Sequence, residues 1–242
     1  MSKRDQIYSV QRSASQPFLF NQEVVDVFDD MLVRSIPLYS ELQHLSCLVV
    51  KKHFSSGYWA YDVGCSTGNT ILALHRLFAP HEIMLNGSDA SLEMIERCRA
   101  KLIENNCTQG VELERTYAQD INFKPCSVVL MNYVMQFVPL DRRAGLLQRI
   151  FTGLQPGGAL LVSEKVSLPT KEHQDFLDQS YYMFKRRNGY SDLEIEQKTR
   201  ALRDILVPLS REKNEQMLRA AGFSVVIPIL QAYHFTTWYC VK

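Results

Sequence analysis

The sequence predicts an α/β protein built on a doubly wound, mostly parallel sheet, and three observations carry that prediction. Apolar runs of strand length alternate with segments of helical spacing, the pattern of strand–helix–strand units. One run, Ser127-Val128-Val129-Leu130-Met131-Asn132, is apolar on successive residues, as a strand buried on both faces must be. An earlier run, Tyr58 to Val63, ends in an acid, Asp62, and the turn Gly64-Cys65-Ser66-Thr67-Gly68 before helical spacing resumes. With 242 residues and 46% hydrophobic content the chain can bury a full core, and residues 1–242 read as one domain.

Taken in order, residues 1–20 are polar, and Ser13, Ser15 and Pro17 mark them as a loose arm. Val24, Val25, Phe28, Met31 and Leu32 open helical spacing that runs to residue 53 and is broken at Pro37, so 1–53 form an arm and a helical cap over a cleft. Ile71, Leu72, Leu74, Leu77 and Phe78 are a helix stripe; Glu82 to Gly87 is a second strand ending near Asp89, and Ser91 to Ile103 is a helix. Val111 to Glu114 is a short third strand, and the run at 127–132 a fourth. A helix over Arg142 to Leu154, the turn Gln155-Pro156-Gly157-Gly158 and a fifth strand, Ala159 to Glu164, follow. Residues 165–210 interrupt the alternation with two polar, aromatic-rich helical segments, the best place for a lid over a substrate. A helix from Arg211, then strands Phe223 to Ile229 and Tyr233 to Val241 with no helix between them, predict an antiparallel pair at the sheet edge.

In such a sheet ligands bind beyond the carboxyl ends of the strands, and the candidate residues gather there. Gly64, Cys65 and Ser66 follow the first strand, where glycine lets backbone approach a ligand, and Asp62 is placed for an ammonium group. The spacing is neither Gly-x-Gly-x-x-Gly nor a phosphate loop, so no pyrophosphate cradle is built. Asp89, with Ala90, ends the second strand and suits two ribose hydroxyls, or else caps the next helix. Asp120 and Ile121 suit an adenine amino group and ring face, and Asn132 suits the group at the fourth strand end. His234, between aromatics in the last strand, is a candidate weak base. Lys185-Arg186-Arg187 reads as a solvated helix face, as a site for an acidic substrate, or as a nucleic-acid patch.

Composition narrows the classes. A net charge of +1 gives no global field toward nucleic acid or membrane. Six cysteines without a Cys-x-x-Cys pair, and histidines without ligand spacing, point to reduced thiols and no metal. No apolar run has the length of a signal or membrane span, so the expectation is a cytoplasmic protein acting on a small molecule, without direct nucleic-acid binding.

The Asp-x-Gly-x-x-x-Gly turn resembles the first motif of the class I S-adenosylmethionine (SAM) methyltransferases, Rossmann-like proteins with a seven-stranded, mostly parallel sheet and an antiparallel edge strand. Within them the chain resembles carboxy-SAM synthases over nearly its whole length. The matching stretches are Val27-Phe28-Asp29-Asp30-Met31, Arg34 to Ser40, Tyr61 to Ser66, Met94 to Arg99, Ser163-Glu164-Lys165 and Phe184 to Ser191. That family joins SAM and prephenate, moves a carboxyl group onto the sulfonium carbon, supports a tRNA wobble-uridine modification and forms homodimers. The resemblance implies that Tyr39, Gly64, Cys65, Ser66, Asp89 and Asn132 contact SAM, or S-adenosylhomocysteine or carboxy-SAM in its place.

The chain departs from the family where the transferred carboxylate is held. The family's clamping arginine is Thr199 here, inside Gln197-Lys198-Thr199-Arg200, and Arg200 is its neighbour. The family's Asp-Ile pair after the third strand is Tyr117-Ala118, two lid histidines are Tyr181-Tyr182, and an Asn is His234. Retention of the cofactor shell with loss of the clamp leads to the expectation of a SAM-dependent methyltransferase acting on a small molecule. Tyr181, Tyr182, Tyr190, Arg200 and His234 are its candidate acceptor-side residues. Two alternatives stand beside it: carboxy-SAM synthesis with Arg200 as the clamp, and a SAM-binding protein without turnover.

Overall fold

The computed structural model describes residues 3–11, 17–78 and 82–242. Among them seven strands form one sheet in the order β3-β2-β1-β4-β5-β7-β6: β1 Trp59–Val63, β2 Met84–Asp89, β3 Val111–Arg115, β4 Cys126–Asn132, β5 Leu154–Lys165, β6 Val225–Ala232 and β7 Phe235–Val241. β1 to β5 pair in parallel, and β7 runs antiparallel to both β5 and β6. The hairpin expected at the edge is there, with one detail changed: the reversed strand β7 lies one place in, and β6 takes the rim. Burial explains the choice, since β7 is buried along most of its length while β6 alternates and carries Pro228, which an edge strand tolerates.

Alternate residues of the central strands face opposite layers. Val128 and Leu130 of β4 pack with residues of α3 (Tyr39–His53), α4 (Asn69–Leu77) and α5 (Leu92–Glu104); Val129 and Met131 pack with α6 (Leu140–Gly153) and α9 (Arg211–Ala220). That two-sided burial is why β4 reads as a continuous apolar run. The order reverses between β1 and β4, which opens a crevice at their carboxyl ends.

Two segments close over that crevice. The first is the arm with the short helices α1 (Gln22–Val25) and α2 (Phe28–Ser35), separated from α3 at Pro37. The arm is less loose than its composition predicts: Ile7 and Phe18 are buried with Val24, Phe28, Met31 and Met94, and Asp5 is buried as well. Ser13 and Ser15 lie outside the described residues. The second segment is the pair α7 (Lys171–Arg187) and α8 (Asp192–Leu202), each opened by a hydroxyl cap, with a full capping box between Ser191 and Glu194 on α8. Gln155 to Gly158, expected as a turn, is the start of β5; Gly158 fits because a Cβ there would lie 2.9 Å from two carbonyl oxygens.

Candidate active site

The turn after β1 is fixed by backbone bonds to β2. Gly64 N–H and Cys65 N–H both donate to the Ser88 carbonyl, at 2.7 and 2.9 Å. Gly64 has φ +73°, and a Cβ on it would stand 2.3 Å from Val134 Cγ2, so only glycine leaves this wall open. Gly68 serves packing instead: its Cβ would meet Cys98 Sγ at 2.5 Å, which brings α5 against the turn. Asp89 does not cap α5; Ser91 does. Its carboxylate takes the Ser66 N–H at 3.0 Å and the Ser91 N–H at 2.9 Å, which holds Ser66 at φ +44° at the cavity wall.

Asp62 is 4% exposed, its Oδ2 has no hydrogen-bond partner, and burial followed by the nearby Asp89 charge pushes its pKa up to about 7. A buried acceptor left open beside a glycine-made gap suits a cationic ligand group, so the residues fit the ammonium end of SAM. Tyr39 also lines the cavity, with its phenol pushed up to about 12 by burial. Asn132 accepts from Ser163 Oγ at 2.8 Å and donates to Ser46 Oγ at 3.4 Å, so this strand-end amide is already held in orientation.

Behind the turn, Lys101 Nζ reaches Asp29 Oδ2 at 2.8 Å, Asn69 Oδ1 at 2.7 Å and Thr67 Oγ1 at 3.2 Å, and Asp29 Oδ1 accepts from Thr67 and Asn69. This cluster ties α2, the turn and α5 together. Burial pulls the Asp29 pKa up, but the hydrogen bonds and charge of Lys101, with Thr67 and Asn69, hold it below the usual carboxylate value.

The cavity encloses about 490 Å³ and is shared between this turn and the lid. Ala90 lines it, and so do Thr116, Tyr117, Ala118 and Gln119. Asp120 and Ile121 do not. The 3-10 turn Ala118–Asp120 leaves Asp120 exposed and sends Ile121 into the core at 1% exposure, so the chain lines the cavity a few residues earlier, at Thr116 to Gln119, than the sequence indicated.

On the lid side, Tyr181, Tyr182 and Lys185 of α7, Lys198 and Thr199 of α8, Arg203 just beyond it, and Lys165 and Phe235 of the sheet line the cavity. The Lys185 ammonium lies 5.1 Å from the Tyr181 ring and 5.9 Å from that of Tyr190; Lys165 lies 5.5 Å from Tyr181. Burial, then the charges of Lys198 and Lys165, bring Lys185 down to about 7; burial brings Lys198 down to about 8 and also lowers Lys165. Asp5, 3.7 Å from Lys198, is the one acid within ion-pair distance of these four cations among the described residues. The acids of the cavity therefore stand at the strand-end turn and the cations at the lid.

Four acceptor-side expectations are corrected. Arg200 is outside the cavity, exposed and paired with Glu196 at 2.6 Å; Arg203, four residues after Thr199 and thus on the same helix face, is the arginine that reaches it. Tyr190 is buried behind the lysines, donating to Asp5 Oδ2 at 2.6 Å. His234 has no exposed surface and both ring nitrogens lack hydrogen bonds; burial and the Lys165 and Lys185 charges drop its pKa to about 2, so it is neutral and sealed from the cavity. Lys185 turns inward while Arg186 and Arg187 are exposed, so the triplet is not one basic face. Tyr181 lines the cavity with its ring, its hydroxyl donating to the Ser35 carbonyl at 2.8 Å. Sequence reading missed Lys165, the last residue of β5, and Lys198 and Arg203, on and just after α8; the stretches Ser163-Glu164-Lys165 and Gln197-Lys198-Thr199-Arg200 hold two of them, but a stretch does not say which way a side chain points.

A methyltransferase-domain family model matches residues 60–158. Carboxy-S-adenosyl-L-methionine synthase of Alteromonas mediterranea is 36% identical over 242 residues, the whole of both chains. The protein of the same description from Methylococcus capsulatus is 38% identical, over 99% of each chain. Human N-acetylserotonin methyltransferase in complex with SAM superposes with a TM-score of 0.60 at 13% identity, over 91% of this chain and 55% of that one. A SAM-dependent methyltransferase from Aquifex aeolicus gives 0.59 at 13%, over 92% and 99%. At those identities the two structures share the fold alone.

Proposed function

The chain belongs to the carboxy-S-adenosyl-L-methionine synthase family, and on that premise we propose that it is a SAM-dependent transferase that moves the sulfonium methyl group to an anionic small molecule. The observation that carries this reading is the division of the cavity: acids at the β1 and β2 ends, four cations and two tyrosine rings at the lid, and a threonine where the family holds the transferred carboxylate.

Asp62 takes the cofactor ammonium, the Gly64-Cys65-Ser66 backbone lies along its methionyl and ribosyl part, and Asp89 and Ala90 border the ribose. Thr116 to Gln119 border the adenine. Tyr39 and Asn132 close the sulfonium end. When bound, SAM supplies an activated methyl electrophile, so positioning of the acceptor does most of the remaining work. Lys198, Arg203 and Lys165 hold the acceptor's anionic group, and the Tyr181 and Tyr182 rings flank its body. The Lys185 amine, which burial brings to about 7, takes the proton that the acceptor nucleophile loses.

A second reading, carboxy-SAM synthesis from prephenate, is favoured by Arg203, which lines the cavity one helical turn beyond Thr199, where Arg200 does not. Incubation with SAM and prephenate, followed by mass spectrometry of the cofactor, separates the two. The methyltransferase reading expects unmodified SAM with prephenate and S-adenosylhomocysteine with a methylated acid from an acceptor panel. One carboxyl mass gained on SAM would overturn it, and SAM binding without turnover on any acceptor would leave a non-catalytic binder.

A further inference from the structure

We propose that Asp5, carried on the N-terminal arm, is a positioning residue of the acceptor pocket: it holds the Lys198 ammonium at the cavity wall and so makes the arm part of the site. The functional half of this proposal rests on the reading of the lid as an anion site; the positioning half rests on geometry alone.

Asp5 is 2% exposed, although it stands five residues from the start of the sequence. Its main chain is fixed on α2: the Asp5 N–H donates to Asp30 Oδ2 at 2.7 Å, and Arg34 Nη1 donates to the Asp5 carbonyl at 3.0 Å. The same Arg34 donates through Nε to the Asn188 carbonyl at 2.7 Å, while Asn188 Nδ2 returns a bond to the Arg34 carbonyl at 3.1 Å. The carboxylate is thus aimed at the lid. Oδ2 receives the Tyr190 hydroxyl at 2.6 Å and faces Lys198 Nζ at 3.7 Å, and Oδ1 accepts the Ile7 N–H at 3.3 Å.

Lys198 has little else. It is 6% exposed, and among the described residues its remaining contacts are Ser35 Oγ at 3.4 Å and the Tyr190 ring at 5.7 Å. Arg34 and Lys185 lie near it as like charges, with Glu194 the other nearby acid. A buried ammonium that loses its one close anion must give up its proton or withdraw from the pocket. The arm is also stitched to α8 itself. Gln197 Nε2 donates to the Tyr8 and Val10 carbonyls, each at 2.9 Å, and the Phe18 N–H donates to the Ala201 carbonyl at 3.1 Å.

The test is a pH titration of the full protein carrying 13C at lysine Cε, followed by NMR, with Lys198 and Lys185 assigned from Lys198→Arg and Lys185→Arg. In the unaltered protein Lys198 should titrate above Lys185, although both are buried, because Asp5 stands within ion-pair distance of Lys198 and acts on Lys185 only from farther away. The reverse order overturns the proposal without any Asp5 variant having to fold. In Asp5→Asn the Lys198 midpoint should fall by at least about one pH unit. Asp5→Glu should recover most of that shift, and Tyr190→Phe, which keeps the carboxylate, should move it by less than half as much. An Asp5→Asn protein with an unmoved Lys198 midpoint also overturns it. With an accepted anionic acceptor, Asp5→Asn should raise KM about tenfold with kcat little changed. A shifted Lys198 without turnover on any anion would instead overturn the functional half and the reading of the lid with it.

Discussion

Asp62→Asn tests the cofactor end of the cavity through its proton. In the free protein the Asp62 carboxyl titrates at about 7, while only the ionised form pairs with an ammonium. The ionised fraction is then ~3% at pH 5.5 and ~50% at pH 7, so SAM affinity should rise about fifteenfold across that interval, or ~1.6 kcal/mol. Stopping at pH 7 keeps the ligand's own α-amino group charged, since such groups titrate at about 7.7–8.0. Calorimetry at pH 5.5, 6.2 and 7.0, repeated in two buffers of different ionisation enthalpy, reads both the affinity and the released proton. S-adenosylhomocysteine should show the same dependence, because it keeps the ammonium and lacks the sulfonium charge. Asp62→Asn should flatten the profile and weaken binding at pH 7 by ~1.5–3 kcal/mol. Wild-type affinity that does not change with pH would refute the assignment, and a slope that survives in Asp62→Asn would move it to Asp89, whose pKa burial also raises.

Three further outcomes follow from the same geometry. Lys185→Met should stabilise the unliganded protein by ~1–3 kcal/mol at pH 6 in urea unfolding. The advantage should shrink as pH rises from about 7 toward the unfolded lysine value of about 10.4, since the folded pKa is depressed and the penalty is complete only below it. The same variant should lose turnover. Arg203→Ala should raise KM for an anionic acceptor about tenfold or more, the loss of a charge-assisted contact of ~1.5–3 kcal/mol, whereas Arg200→Ala removes an exposed helical pair of ~0.3–0.5 kcal/mol and should leave steady-state kinetics unchanged. Asp29→Ala should cost ~2–3 kcal/mol by leaving Lys101 buried without its acid; because the folded Asp29 pKa is depressed, the wild-type advantage is present above about pH 4 and is lost as pH falls through the folded value.

The features legible in the sequence are those that depend on neighbours along the chain. The apolar run of β4, the strand–turn–helix around Gly64 and the unbroken last hairpin each write their structure into consecutive residues, because burial on two faces, a positive φ and a missing crossover are local constraints. They determined the doubly wound sheet, and they determined that the turn after β1 carries Asp62 and an open glycine wall. The Gly-Cys-Ser turn and the Asn-Gly-Tyr-Ser segment also sufficed to indicate the family. Asp89 lies at the β2 end, and its carboxylate accepts from Ser66 and Ser91 rather than capping α5; a carboxylate at a strand end can cap its own helix or accept from the turn beside it, and only the fold decides.

The lid could not be read that way. Lys165, Lys185, Lys198 and Arg203 come from a strand end and two helices, and in sequence each is a charged residue on what looks like a solvated face. Packing of α7 and α8 over the crevice turned Lys185 and Lys198 inward, closed Tyr190 and His234 off behind them, and left Arg200 outside. The 3-10 turn at Ala118–Asp120 likewise moved the stretch that lines the cavity to Thr116 to Gln119. The acids at the strand-end turn were set by local sequence; which charges line the lid side of the cavity was set by tertiary structure. Burial of an ionisable group and its nearest counter-charge are properties of residues far apart in the chain, as Asp5 and Lys198 are.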